Sequence, residues 1–237
     1  MCGRYTLATP DPRTLRARFA LGEAVRVERR YNVAPGDDVL AVLMGQRGPE
    51  GARLRWGLVP PWAGDGARQG MINARAETVR AKPAFRSAFE RRRCLIVADG
   101  FYEWCRPDGH GPRAARQAYW ITRADGAPFA FAGLWASART PTGATWRTCA
   151  IVTTAASRRL APIHDRMPVI LDPEAEHAWL RSDRPADALM TLLRPLPDER
   201  MALRPVGSAV NDARYDDPAC LNPPRDAPPA AAAPRLF

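Results

Sequence analysis

Short apolar runs recur along the chain, separated by Gly, Pro and Asp, and runs of this length bounded by turn residues favour strands over helices. The pattern predicts strands at 39–44, 53–59, 94–98, 101–104, 117–122, 128–135, 147–154, 168–171 and 201–206. Ala124-Asp125-Gly126 stands between an alternating run and an apolar one, and Asp-Gly tolerates the positive φ of a tight turn, so 117–135 reads as a β-hairpin. Helices are fewer. Asp11-Pro12 supplies a cap and a first-turn proline to a segment carrying Leu15 and Phe19 at helical spacing. Pro83 opens a second helix through Phe85 and Phe89 to Arg91, Asp172-Pro173 a third through Trp179, and 186–193 forms a fourth. Strands do not alternate regularly with long helices, and composition is even up to about residue 215. The expected fold is therefore a single α+β domain over 1–215, a mainly antiparallel, curved or barrel-like β-sheet with flanking helices. The Pro-Pro pairs and Ala run of 216–237 read as a disordered tail.

Composition adds a partner class to this picture. With 46% hydrophobic and 25% charged residues in 237, the chain can bury a core, and its longest apolar stretches fall far short of the ~20 residues of a membrane span. The N-terminus lacks the continuous apolar segment of a secretory signal, so a cytoplasmic protein is expected, nucleoid-associated when bound to DNA. Thirty-five Lys+Arg against 25 Asp+Glu leave a formal charge of +10, which favours polyanions and makes nucleic acid the leading partner. Lys82 is the only lysine, and the arginines that carry the charge bind phosphate oxygens two at a time. Genome composition is an equal explanation of the arginine excess. The five cysteines form no CxxC pair, which argues against a zinc site or a disulfide framework, and no Gly-rich phosphate loop or metal-ligand cluster appears, so neither metal nor cofactor is expected. A monomer is the default.

Cys94 and Cys149 lie in apolar runs and read as small buried hydrophobes, whereas Cys2 stands apart. Methionine before a small residue favours removal of the initiator, which leaves Cys2 with an α-amine beside its thiol. With an amine pKa near ~7.7–8.0 and a thiol near ~8.5, a useful fraction of each is nucleophilic at neutral pH without tuning. The amine condenses with an aldehyde to an imine, and the thiolate then closes a five-membered thiazolidine. A chance Met-Cys start without function is the alternative.

Further segments point the same way. MCGRYTL at the start, RYNVAPG at 30–36, WGLVPPW at 56–62, NARAET at 73–78, DGFYEW at 99–104, FAGLW at 131–135 and IHDRMPVIL at 163–171 closely resemble the SRAP family, the SOS-response-associated peptidase proteins that shield abasic sites in single-stranded DNA by a covalent crosslink. The resemblance runs in order from Met1 to about Ala213. It implies that Cys2 attacks the ring-opened sugar aldehyde, that Glu103 is the catalytic acid/base, that His164 assists ring opening and that Asn73 orients the cysteine and its substrate. Each role suits its side chain: a carboxylate moves the protons of imine formation, an imidazole works as acid or base near neutrality, and a neutral amide donates and accepts without titrating. Read alone, Glu103 is a strand residue facing solvent, His164 a structural histidine at a turn and Asn73 a turn cap. Arg4, Arg75 and Arg166 each lie two residues from one of these positions, and the resemblance implies phosphate contacts for them and for Arg86. Pro35 and Trp62 match the wedge that blocks base stacking and bends the strand, while Asn32 and Thr153 fall in matched blocks as lesion or backbone contacts.

The expected partner is thus single-stranded DNA containing abasic sites, and the expected product a Cys2 thiazolidine, with lyase activity from the imine as a competing outcome. Two alternatives stay open. One is a cysteine peptidase built on Cys2, His164 and Asn73, including removal of Met1; the other is a single-stranded DNA-binding module without covalent chemistry. The polar Gly/Arg loop 106–116 with His110 matches no block of the family, and His177 falls inside a helix away from these residues.

Overall fold

The uninterrupted apolar runs are strands covered on both faces. The computed structural model, described over residues 2–8, 11–63, 70–105, 116–139, 144–181 and 183–225, contains in chain order β1 (Tyr5–Leu7), α1 (Pro12–Phe19), β2 (Arg30–Val33), β3 (Asp38–Gly45), β4 (Gly48–Trp56), β5 (Asn73–Arg75), α2 (Pro83–Arg91), β6 (Arg93–Ala98), β7 (Gly100–Cys105), β8 (Gln117–Arg123), β9 (Phe129–Arg139), β10 (Thr145–Ala155), β11 (Arg166–Pro168), β12 (Ile170–Leu171), α3 (Pro173–Leu180), α4 (Ala186–Met190) and β13 (Met201–Val206). One sheet has the order β13-β8-β7-β1-β2. In the other, β11-β10-β4-β3-β6-β9-β12, β9 also pairs with β10, so β10, β4, β3, β6 and β9 close into a ring to which β5 adds along β10. Pairing is antiparallel except where β10 runs beside β4 and β5, and the α+β, barrel-like architecture expected from the pattern is the one observed.

Strand alternation distributes the apolar residues over two cores. Val39, Ala41, Ile96, Phe131 and Ile151 pack with Tyr5, Phe101 and Ile121 of the other sheet, and the T-shaped contacts of Tyr5 and Phe101 with Phe131 tie the two sheets together. The alternate residues Leu40, Val42, Leu95, Val97 and Val152 face Leu15, Phe19, Phe85, Phe89 and Trp179 of the helices. All six residues of β6 are buried, which is why its sequence shows no polar alternation.

The Asp11 cap behaves as expected, accepting from Arg13 N, and Pro12 begins α1. The expected hairpin at 117–135 does not form: β8 pairs with β7 and β13, and β9 with β6, β10 and β12, so the Asp125-Gly126 turn carries the chain from one sheet to the other. A turn dipeptide fixes the local reversal, while strand partners are chosen by the surface they bury. The strand expected at 53–59 begins earlier and stops at Trp56, because Gly57 takes φ +134. The run at 168–171 divides into β11 and β12 with different partners. The short strands β1, β2 and β5 carry no visible periodicity in three or four residues. Nor does the packed body end at residue 215: Asp216 accepts from Tyr31 N and Asn32 N and pairs with Arg30, and Cys220 is fully buried. Residues 226–237 lie outside the described residues, as does His110.

Asp99, in the connection between β6 and β7, holds the segment behind Cys2. Its carboxylate accepts from Thr6 Oγ1 at 2.5 Å and from Ala8 N at 2.8 Å in a buried setting. Asp99→Ala removes both acceptors and strands the Ala8 amide, and is expected to lower unfolding stability by about 3 kcal/mol in urea titration; a loss under about 0.5 kcal/mol, the usual range of surface changes, would contradict this assignment.

Candidate active site and nucleic-acid interface

The candidate site lies where the two sheets meet. β1 runs antiparallel to β7 with Tyr5 opposite Phe101, and Tyr102 N donates to Arg4 O at 3.0 Å, so the register continues outward and brings Gly3, next to Cys2, alongside Glu103. From the other sheet comes β5, paired with β10 so that Asn73 stands beside Ile151. Trp56 fixes that strand from below, its Nε1 donating to Ile72 O at 2.9 Å while its ring packs on Tyr5. Asn73 Nδ2 then donates to Cys2 O at 2.9 Å, a bond that crosses from sheet to sheet. Its Oδ1 is buried and accepts no hydrogen bond among the described residues.

His164 sits in the turn between β10 and β11, where Leu160 O accepts its backbone N–H. Its Nδ1 accepts from Arg166 N at 2.9 Å, so the neutral ring carries its proton on Nε2. Burial and the charge of the chain terminus both lower its pKa, in keeping with that neutral form, although Asp165 lies 3.0 Å from Nδ1 and pulls the other way.

Glu103 is 3% exposed, which overturns the solvent-facing reading of its strand position. Burial raises its pKa to about 7 and Asp165 adds to the rise, while the terminal ammonium opposes it. Glu103 acts on the Cys2 thiol, and Asp165 raises the pKa of both Glu103 and His164, so the thiol, the carboxyl and the imidazole share one electrostatic neighbourhood. The expectation that the Cys2 thiol needs no tuning is corrected: it is fully buried, and burial first, then Glu103, pushes its pKa well up. A protonated thiol beside a carboxyl group poised near neutrality is the arrangement found.

The residues expected on DNA divide into two groups. Thr153, Arg166 and Arg75 lie on neighbouring strands beside Asn73: β10 places Thr153 against Arg75 on one side and Pro168 on the other. Arg166 grips Glu77 in a bidentate pair at 2.7 and 2.9 Å and donates to Thr153 O, so its fork is engaged within the protein. The Arg75 side chain is exposed and makes no hydrogen bond or ion pair among the described residues. Pro35 is exposed, and Trp62 is 69% exposed, a large apolar face turned to solvent.

Arg4, Asn32 and Arg86 are placed otherwise. Arg4 Nη1 donates to Asn32 Oδ1 at 2.9 Å and Val210 O at 2.8 Å. Asn32 is fully buried, and its Nδ2 serves the carbonyls of Asp212 and Tyr215, so it holds the C-terminal segment and contacts no solvent. Arg86 lies on the exposed side of α2, in the helix layer outside the ring of strands. Sequence reasoning missed Asp99, Trp56 and Glu77, all inside recognised blocks, because their partners are distant in the chain. Among the described residues no cluster of His, Cys, Asp and Glu could hold a metal ion, and no helix is long and apolar enough to cross a membrane.

Comparison with known proteins fits this geometry. The family described as SOS response associated peptidase (SRAP) matches residues 1–213. The chain is 39% identical over 225 residues to the Bacillus subtilis abasic site processing protein YoqW, covering 92% of this chain and 97% of that one. It is 31% identical over 196 residues to the Escherichia coli abasic site processing protein YedK, covering 82% and 84%. A Bacteroides thetaiotaomicron crystal structure shares the fold with a TM-score of 0.83 at 23% identity, covering 94% of this chain and 99% of its own. A phage-related protein of Bordetella bronchiseptica gives 0.69 at 32% identity, covering 86% and 94%. This chain is a member of the SOS response associated peptidase family.

Proposed function

We propose that this protein processes abasic sites in single-stranded DNA by forming a thiazolidine between Cys2 and the lesion aldehyde once Met1 is removed. The observation that carries the reading is the burial of Cys2 against Glu103, with Asn73 clamped to its carbonyl. The names of the relatives, abasic site processing proteins, agree with it.

The chemistry balances with groups already at the site. The amine nitrogen attacks the aldehyde carbon, giving a carbinolamine. The protonated carboxyl of Glu103 gives its proton to the departing hydroxyl, water leaves and a protonated imine forms beside the Glu103 carboxylate. The Cys2 sulfur adds to the carbon of the protonated imine, whose nitrogen becomes the neutral ring amine, while the thiol proton passes to the Glu103 carboxylate and restores its protonated form, closing the ring. Aldehyde and aminothiol thus become thiazolidine and one water. His164, neutral with Nε2–H, is suited to the proton shuffle that opens the sugar hemiacetal. A thiol peptidase would instead need a Cys2 thiolate near neutrality, which burial opposes.

The test is denaturing electrophoresis of Met-processed protein with a strand carrying one abasic site, beside an intact strand. A band that survives denaturant only with the abasic strand supports the reading; its absence, with mass spectrometry showing Cys2 as the first residue, rejects it. Asn73→Ala is expected to slow single-turnover adduct formation by roughly 10–100-fold through lost positioning while leaving strand affinity within about twofold. Equal losses in rate and affinity would mean that Asn73 serves binding and not alignment.

A further inference from the structure

Glu77 stands four residues beyond Asn73 and Arg166 two beyond His164, on segments that flank opposite edges of β10. β5 runs parallel to β10 and ends with Arg75 beside Thr153; the turn Ala76–Thr78 follows and carries Glu77. β11 runs antiparallel along the other edge and begins with Arg166 opposite Ala155. The Glu77–Arg166 pair thus closes over the end of β10. Arg166 Nη1 donates to Glu77 Oε1 at 2.7 Å and Nη2 to Oε2 at 2.9 Å, while Nη2 also reaches Thr153 O at 2.7 Å. Two parallel bonds fix a guanidinium in direction as well as in distance. The Arg166 side chain is 12% exposed and that of Glu77 52%, so the arginine is packed while its partner faces solvent. The hydrogen bond from Arg166, more than any other influence, holds the Glu77 carboxyl below its usual range and keeps it ionised near neutrality.

The residue anchored in this way is the one that orients His164. Arg166 N donates to His164 Nδ1 at 2.9 Å, and which ring nitrogen of a neutral imidazole holds the proton is set by the bond the other makes. The turn itself is closed by His164 N on Leu160 O and by Ala156 N on Asp165 O, both at 3.0 Å. A backbone N–H keeps its aim at Nδ1 only while its residue is held, and the side chain of Arg166 is held by Glu77 and Thr153. We propose that Glu77 is a positioning residue, which through Arg166 fixes the place and the tautomer of the His164 ring relative to Asn73. The inference rests on the reading of His164 as the group that opens the sugar ring. It gives Arg166 a task other than the phosphate contact expected of it: its fork is engaged by Glu77 and Thr153, and the exposed Arg75 side chain is the cation left for the strand.

The experiment reads the ring first, without DNA. Protein with isotopically labelled histidine nitrogens is observed by NMR at about pH 8, where an ordinary imidazole is neutral, and the His164 signals are identified among the three histidines by their loss in His164→Gln. In the wild type the two ring nitrogens are expected to be as far apart as a fixed Nε2–H tautomer requires. In Glu77→Ala and in Arg166→Ala they are expected to shift toward each other as both tautomers become populated, with Glu77→Gln, which keeps one acceptor for the fork, in between. Glu77 is exposed, so its substitution leaves the fold intact. Single-turnover adduct formation at saturating strand then reads the consequence. Glu77→Ala is expected to slow the reaction with a natural abasic site roughly tenfold, and to leave within about twofold the reaction with a strand bearing an open-chain aldehyde, which has no ring to open. In a His164→Gln background the same substitution is expected to add no further slowing. If the wild type forms no adduct with either strand, the crosslinking reading fails, and the nitrogen signals alone decide whether Glu77 orients His164. Signals unmoved in Glu77→Ala, or equal slowing on the two aldehydes, overturn the proposal.

Discussion

Replacing Cys2 with alanine is expected to abolish the denaturant-resistant adduct entirely, with no band above background after hours of incubation. The reason is the second step. Alanine keeps the α-amine, so an imine with the lesion aldehyde still forms, but without sulfur nothing closes the ring, and an imine hydrolyses on dilution. Borohydride, which reduces an imine to a stable amine, should therefore rescue a crosslink in Cys2→Ala. That pair of outcomes separates loss of the nucleophile from loss of the fold, as Cys2 fills part of a buried cluster with Tyr5 and Trp56. The cavity left by removing one sulfur costs about 1–2 kcal/mol. A denaturant-resistant band in Cys2→Ala without borohydride would move the chemistry to another nucleophile.

Glu103→Gln should slow adduct formation by roughly 10²–10⁴-fold, the usual worth of a positioned proton donor and acceptor. With the Glu103 pKa at about 7, the wild-type rate should fall as pH rises through that value, because the dehydration step loses its proton donor. On the acid side the rate falls too, as the amine becomes fully protonated, so the profile is a bell whose alkaline limb disappears in Glu103→Gln. Release of a preformed crosslink should slow in the same variant, since reopening the ring needs the same proton; faster release than wild type would remove Glu103 from the reversal step.

The raised pKa also has a consequence for stability. Folding lifts the Glu103 pKa from 4.5 to about 7, so the native state binds the proton more tightly than the unfolded chain does. Stability falls as pH rises between those values and by about 7 has lost ~2–4 kcal/mol, a cost absent below pH 4.5. Glu103→Gln should accordingly raise the melting temperature at pH 8 and have little effect at pH 4. An acid/base that destabilises its own fold at working pH is the trade expected of a group held for chemistry.

The sequence by itself determined the parts of this protein that local physics controls. Leu15 and Phe19 following Asp11-Pro12 are enough to specify α1, and the unbroken apolar runs at β6 and β9 are enough to mark strands. Cys2 announces its chemistry because an aminothiol needs no neighbour to be unusual, and the order of short blocks from MCGRYTL to IHDRMPVIL carries the family. Tertiary structure decided the rest, because each remaining property depends on what is brought close from far along the chain. The Asp125-Gly126 turn looked the same whether β8 and β9 paired or parted, and only competition for buried surface separated them. Glu103 has the alternation of a solvent-facing residue, yet the meeting of two sheets buries it and sets its proton affinity. Arg4 and Arg166 look equally cationic in sequence, but one is tied to Asn32 and Val210 and the other to Glu77. Charge is written in the chain, whereas the dielectric and the partners that decide what a charge can do come from packing.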